Sequence, residues 1–291
     1  MSTDLEDPNP MNEARGTHLR GDALRDRCLT VLGRVPAAVV LDIDGTISEI
    51  APAPDQAVVS DAARATLHQL RERVAVVAVI TGRSAADGER LVGVDGLVYV
   101  GNHGLEQRTG GRQKIHPGAA DTVQQIADAL GDIEAALSDE GHDQGVIFEN
   151  KILSASIHYR LAPEPEETGR RILALALATA ESRDLRVTEG RLIVELRPNL
   201  AINKGTALAD LVHAFQVAGL LFCGDDLTDV DGFQELKRMR ERHQLDGLAI
   251  AVVAPEANPR IAQEADGSVE SVGAMIQLLG DLAERLPIAG S

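Results

Sequence analysis

The stretch Ala37-Ala-Val-Val-Leu41 followed by Asp42-Ile-Asp44-Gly-Thr46 decides the fold. Five apolar residues in a row end abruptly in acids and a glycine. A short, unbroken apolar run of this kind fits a strand of a parallel sheet, buried on both faces. The same pattern recurs along the chain. Residues 74–80 (VAVVAVI) end in Thr81-Gly-Arg-Ser84, and residues 97–100 (LVYV) end in Gly101-Asn-His-Gly104. Residues 220–223 (LLFC) end in Gly224-Asp-Asp-Leu-Thr-Asp229, and 248–253 (LAIAVV) supply one more strand. Helical spacing separates these runs at 21–34, 60–72, 84–92, 204–218, 229–241 and 270–286. Alternating strands and helices imply a doubly wound, Rossmann-like α/β sheet with right-handed crossovers. In such sheets ligands bind outside the carboxyl ends of the strands, which is where the polar clusters fall.

The middle of the chain reads differently. Residues 113–197 combine helical stretches (121–138 and 165–182) with alternating segments at 153–159 and 191–197, which predicts antiparallel strands with one polar face. The expected organisation is therefore a core of residues 1–112 and 198–291, split by an inserted α+β cap domain at 113–197. Residues 1–20 are polar and aperiodic, and a frayed tail is expected there.

The chain has 291 residues and a net charge of -17, which argues against a nucleic-acid binder or a protein held on anionic lipid. The apolar runs are too short to span a membrane, and the acidic N-terminus is unlike a signal peptide. Two cysteines are too few for a disulfide framework or a thiolate metal site. A soluble cytoplasmic protein is expected.

Asp42 and Asp44, two apart in extended chain, project to the same side. Two carboxylates so close repel unless a cation joins them, and a hard divalent ion such as Mg²⁺ suits oxygen ligands. Asp225, Asp226 and Asp229 form a second acidic cluster after another apolar strand. They face the first pair if the two strands are neighbours. Thr81, at a strand end beside a helix start, is placed to donate to a phosphoryl oxygen. Lys204 can neutralise charge on phosphate and carboxylate together.

The order DIDGT, TGR, NKG, GDDLTD resembles the four motifs of the haloacid dehalogenase (HAD) superfamily, and the insertion resembles its C2-type cap. Over residues 37 to about 285 a narrower resemblance is carried by GLVYVGNHGLE at 96–106, Glu149-Asn-Lys151, Ser156-Ile-His-Tyr-Arg160, Glu195-Leu-Arg-Pro198 and GDDLTDVDGF. Those segments are similar to trehalose-6-phosphate phosphatases. The resemblance implies Mg²⁺-dependent hydrolysis of a small sugar phosphate through an aspartyl-phosphate. Asp42 is then the nucleophile, Asp44 the general acid and base, and Thr81 and Lys204 the phosphate clamp. Asp42, Asp44 through its backbone carbonyl, Asp225 and Asp229 form the metal site. Asn102, His103, Gly104, Glu149, Lys151, Arg160, Arg191 and Glu195 correspond to positions that hold sugar hydroxyls in that family. Arg191 stands where the family commonly has lysine, and Arg is not a geometric equivalent of Lys. Arg83 is either a phosphate contact or an internal partner of the acidic loop. Other substrates compatible with the same motifs are sucrose phosphate, a glycosyl-phosphoglycerate or a monosaccharide phosphate, and a non-catalytic phosphate-binding module is a further alternative.

Overall fold

The structure, a computed structural model, describes residues 18–255 and 257–288. From α1 (Gly21–Leu32) the chain alternates through β1 (Ala37–Leu41), α2 (Asp61–Arg71), β2 (Val76–Ile80), α3 (Ala85–Val92) and β3 (Val98–Gly101). A hairpin, β4 (Glu106–Thr109) and β5 (Arg112–Ile115), turns at Gly110-Gly111 and runs antiparallel to β3. Then come α4 (Pro117–Ala120), α5 (Val123–Asp139), β6 (Ile147–Asn150), β7 (Ala155–His158), α6 (Pro165–Glu181), β8 (Leu185–Gly190) and β9 (Ile193–Pro198). The chain closes with α7 (Lys204–Phe215), β10 (Gly219–Gly224), α8 (Leu227–Glu241), β11 (Asp246–Val252), α9 (Pro259–Glu264), β12 (Gly267–Val269) and α10 (Val272–Arg285).

The large sheet has the order β12-β11-β10-β1-β2-β3-β4-β5 and is parallel apart from the hairpin. Every side chain of β1 and β2 is buried, as an unbroken apolar run requires. One face of the sheet, with Val39, Leu41, Val79, Leu221 and Ile250, packs under α1, α2 and α10. The other, with Val40, Ile80, Leu220 and Phe222, packs under α7 and α8. Helix starts are set by side-chain caps. Ser60 and Ser84 accept from Ala63 and Asp87 backbone N–H groups, and Asn203 and Asp226 head capping boxes on α7 and α8.

Leu41 lies opposite both Cys223 and Val79. The loops after β1, β2 and β10 therefore leave the sheet at one edge, and the two acidic clusters face each other.

The second sheet has the order β6-β7-β9-β8 and is wholly antiparallel. Its alternation has two consequences. Ala155, Ile157, Val194, Leu196 and Leu185 form an apolar face under α5 and α6. The intervening residues Glu149, Ser156, Glu195, Thr188, Arg186 and Arg197 share the opposite, polar face, because they are mutual register partners.

Three details depart from the sequence reading. The β4–β5 hairpin continues the large sheet, so a division at 112/113 would cut through β5; the residues of β5 are exposed and, Ile115 apart, polar, and carry no apolar period. Three-residue β12 is likewise too short to read. Residues 18–20 are docked, since Leu19 pairs with Gly267 and His18 Nε2 lies 2.8 Å from Ser268 Oγ. The rest of the proposed tail, residues 1–17, lies outside the described residues. Among the described residues no helix is long and apolar enough to cross a membrane.

Ile157 is fully buried between the small sheet and its helices. Ile157→Ala should lower the unfolding free energy by about 2–5 kcal/mol in a denaturant titration; a loss below 1 kcal/mol would contradict this packing.

Candidate active site

Asp42 is the first residue beyond β1, and its N–H continues the ladder to Cys223 O at 2.9 Å. The chain then turns tightly, with the Ile43 carbonyl accepting from the N–H groups of Thr46, Ile47 and Ser48. Gly45 makes the turn at φ +89°, and a Cβ there would lie 2.0 Å from Asp225 Oδ2. Only glycine lets the two acidic loops meet so closely.

Lys204, the first residue of α7, is 2% exposed and spans them. Its Nζ lies 3.0 Å from Asp42 Oδ1 and 2.7 Å from Asp229 Oδ1. The other Asp229 oxygen accepts from the N–H groups of Asp225 and Asp226, both at 3.1 Å. Burial pushes Asp42 up to about 7 against the pull of Lys204, and burial with Asp42 nearby pushes Asp225 well up. For Lys204, burial opposes the charge, but Asp229 and Asp42 outweigh it and hold the ammonium raised.

Candidate ligand oxygens of Asp42, Asp225 and Asp229 lie within 4.8 Å of one another, a spacing and oxygen chemistry that fit a hard divalent cation. Both Asp229 oxygens already accept from internal donors, which leaves Asp42 and Asp225 the less committed carboxylates of the three. Asp229 also orients Lys204 and the loop that carries Asp225.

Asp44, expected to offer a metal its backbone carbonyl, has its carboxylate turned to Arg83. Nε donates to Oδ2 at 2.7 Å and Nη2 to Oδ1 at 2.8 Å. Arg83 Nη1 donates to Pro54 O and Asp87. Of the two roles open for Arg83, the internal partner of the acidic loop is the one observed. Thr81 is buried, and its Oγ1 accepts from the Arg83 N–H at 3.2 Å, which leaves the hydroxyl proton to donate elsewhere.

From the polar face of the small sheet, Lys151 and Glu195 reach the large sheet's loops. Lys151 Nζ donates to Glu195 Oε1 at 2.5 Å and to Gly82 O at 2.8 Å. Glu195 also accepts from Ser156 Oγ, and His103 Nε2 lies 3.0 Å from its second oxygen. Burial would raise Glu195, but Lys151 and His103 hold it well below the carboxylate range. Burial drives His103 down to about 3 despite Glu195. The neutral ring donates from Nε2, and its buried Nδ1 has no partner among the described residues.

The remaining residues are divided between the small sheet and the large-sheet loops. Glu149 pairs with His158 at 2.9 Å. Arg160 donates to Ala51 O of the large-sheet side and to Arg191 O, and Arg191 is exposed. Gly104 packs against Ile202 and Ala207. Asn102 is fully buried, with its amide hydrogen-bonded to Glu106 and Ser154. Glu106 and Ser156 lie inside the quoted motifs, where the resemblance assigns them no role, and Ser154 lies outside them; the alternation of Ser154 and Ser156 into a strand with a polar face was the available signal.

A doubly wound sheet with acids, a threonine and a lysine at one edge, and a cap inserted between them, defines a HAD-type protein. The solved C-terminal domain of a C. albicans trehalose-6-phosphate phosphatase shares this fold, with a TM-score of 0.75 at 21% identity, covering 92% of this chain and 99% of that one. A haloacid dehalogenase-like hydrolase from Bacteroides thetaiotaomicron shares it with a TM-score of 0.58 at 12% identity, over 84% of this chain and 99% of that one. The family model for trehalose-phosphatase matches residues 40–266, and the chain belongs to that family. A trehalose-phosphate phosphatase of Mycobacterium avium is 38% identical over 70% of this chain and 52% of its own length. One from Mycobacterium tuberculosis is 31% identical over 95% of this chain and 66% of its own. The chain thus spans about half to two thirds of the length of these relatives.

The His103 environment sets a pH dependence. In the unfolded chain the ring takes up a proton as pH falls through its ordinary 6.5, whereas the folded ring resists protonation until about 3. Stability is therefore lost across that window, by up to about 1.4 kcal/mol per pH unit. His103→Gln should flatten this acid limb in denaturant titrations between pH 6.5 and 4; an unchanged slope would refute the assignment.

Proposed function

We propose that this chain is a phosphatase that hydrolyses trehalose 6-phosphate, with Mg²⁺ as cofactor and Asp42 as nucleophile. The observation that carries the reading is the buried bridge from Lys204 to Asp42 and Asp229 beside Asp225. It orients one carboxylate oxygen of Asp42 and leaves the other for reaction. Family membership supports the substrate class.

Asp42 attacks phosphorus, the bond to the sugar oxygen breaks, and that oxygen takes a proton from Asp44. Asp44 then accepts a proton from the water that attacks the aspartyl-phosphate, returning the Asp42 carboxylate and free phosphate. For this Asp44 must swing off Arg83, which holds it with two charge-assisted hydrogen bonds. The Thr81 hydroxyl donates to a phosphoryl oxygen, and Lys204 offsets charge as the bond to Asp42 forms. Mg²⁺, held by Asp42, the Asp44 backbone carbonyl and Asp225, would supply charge neutralisation to the transferring group.

The disaccharide would lie between the large-sheet loops and the polar face of the cap. Its hydroxyls would meet donors and acceptors in turn from Glu149, Lys151, Arg160, Arg191, Glu195 and His103. Lys151, Glu195 and His103 now satisfy one another, so sugar binding exchanges those hydrogen bonds rather than exposing orphaned charges.

Phosphate release should be fastest by kcat/KM on trehalose 6-phosphate in a panel with sucrose phosphate, a glycosyl-phosphoglycerate and a monosaccharide phosphate. Chelation should abolish it and Mg²⁺ restore it. A higher kcat/KM on another member would reassign the substrate. Asp42→Asn should remain folded yet lose all turnover, and wild-type-like turnover would exclude the covalent route. Glu149→Ala should impair trehalose 6-phosphate at least about tenfold more than p-nitrophenyl phosphate, since one lost charged hydrogen bond amounts to roughly 1.5–3 kcal/mol. Equal losses on the two esters would remove Glu149 from sugar recognition.

A further inference from the structure

The Asn102 amide is turned into the protein and engaged there at both its nitrogen and its oxygen. Its Nδ2 donates to Glu106 Oε1 at 2.7 Å, its Oδ1 accepts from Ser154 Oγ at 2.5 Å, and the residue is 0% exposed. Glu106, 4% exposed, is met among the described residues by neutral donors and by no cationic side chain. Oε1 also accepts from the Ala85 N–H at the start of α3, at 2.9 Å, and Oε2 accepts from Gln113 Nε2 at 2.6 Å.

This network ties together the parts that meet at the site. Asn102 and His103 both hold left-handed backbone, at φ +49° and +57°, a conformation that non-glycine residues adopt only when their surroundings enforce it. Their N–H groups bond to Arg83 O and Thr81 O, so the strained turn is clamped onto the loop that carries Thr81. On the far side Ser154 follows closely on Lys151, in the turn before β7. Glu106 and Asn102 thus fix one corner where the Thr81 loop, the His103 turn and the Lys151 turn converge.

We propose that Asn102 and Glu106 are positioning residues, which hold the His103 turn and aim its ring at Glu195 without touching substrate. The proposal rests on the functional reading above only for its kinetic readout. Glu106→Ala and Asn102→Ala should each lower kcat/KM on trehalose 6-phosphate by about 10- to 100-fold, the scale of a misplaced catalytic group. The double variant should be no worse than about threefold below either single one, because the two residues act as one unit. Glu106→Gln should recover most of the activity, since its one carbonyl oxygen can serve Ala85 and Asn102 while Gln113 turns its amide.

Ring ¹⁵N NMR of His103, assigned with His103→Gln, provides a readout independent of turnover. Both alanine variants should shift it in the folded protein, and Glu106→Gln should not. A large loss in Asn102→Ala with Glu106→Ala within twofold of wild type would make Asn102 a direct contact and overturn the proposal. So would losses that merely follow the fraction folded, with the His103 signal unmoved. If the wild-type protein leaves trehalose 6-phosphate intact while the ring signal responds as described, the substrate reading fails and the positioning role stands.

Discussion

Lys204 is a single ammonium buried between the carboxylates of Asp42 and Asp229, and most of the architecture can be traced to keeping it there. A buried carboxylate is tolerable only when paired and hydrogen-bonded, and taking one partner away strands the others. Here the partners come from three distant parts of the chain: the end of β1, the start of α7 and the first turn of α8. Their meeting requires β10 beside β1 in the observed register, and α7 and α8 packed on the same face of the sheet. It also requires glycine at 45 and 224, where a Cβ would strike Asp225 and Asp229 respectively. The parallel sheet is thus the means by which residues more than 180 positions apart hold one charge cluster.

The small sheet applies the period-two alternation of its strands to both its tasks. One set of side chains makes an apolar core with α5 and α6, and the other presents Glu149, Ser156, Glu195 and Arg197 on the opposite face. A one-residue slip in any of these strands would exchange the two sets. Stability of the cap and placement of its polar groups are therefore fixed by the same register. Lys151 on Gly82 O and Arg160 on Ala51 O then join that face to the loops of the large sheet.

Much of this was legible in the sequence because it depends on local pattern. Unbroken apolar runs at 37–41 and 220–223 identify buried parallel strands, and the acids after them must lie at the strand ends. The neighbourhood of Asp42 and Asp225 needed only the assumption that those strands are adjacent. What stayed hidden depends on side-chain direction and on pairing across the fold. Nothing in Thr81-Gly-Arg-Ser84 tells whether Arg83 faces solvent or Asp44, since both suit an arginine after a strand. Asn102 reads as a polar residue at a strand end, matched by resemblance to a sugar-holding position, yet its amide is engaged by Glu106 and Ser154 inside the protein. The β4–β5 hairpin and β12 escaped for a simpler reason: an exposed polar edge and a three-residue strand have no hydrophobic period to detect.

Net charge illustrates the same difference of scale. A value of -17 limits partners that read the whole surface, but a phosphate ester bound as proposed would meet only the groups at one sheet edge. There Asp42, Asp225 and Asp229 face a single ammonium, so the cluster is itself two charges negative when all three acids are ionised. Burial resists that state, pushing Asp42 and Asp225 upward. A divalent cation held by these two would cancel the excess, restore both acids to the ionised form, and turn a pocket that repels phosphate into one that attracts it. The surplus of acid at the site is then the requirement that a cation-dependent phosphatase has to meet, rather than an obstacle to an anionic substrate.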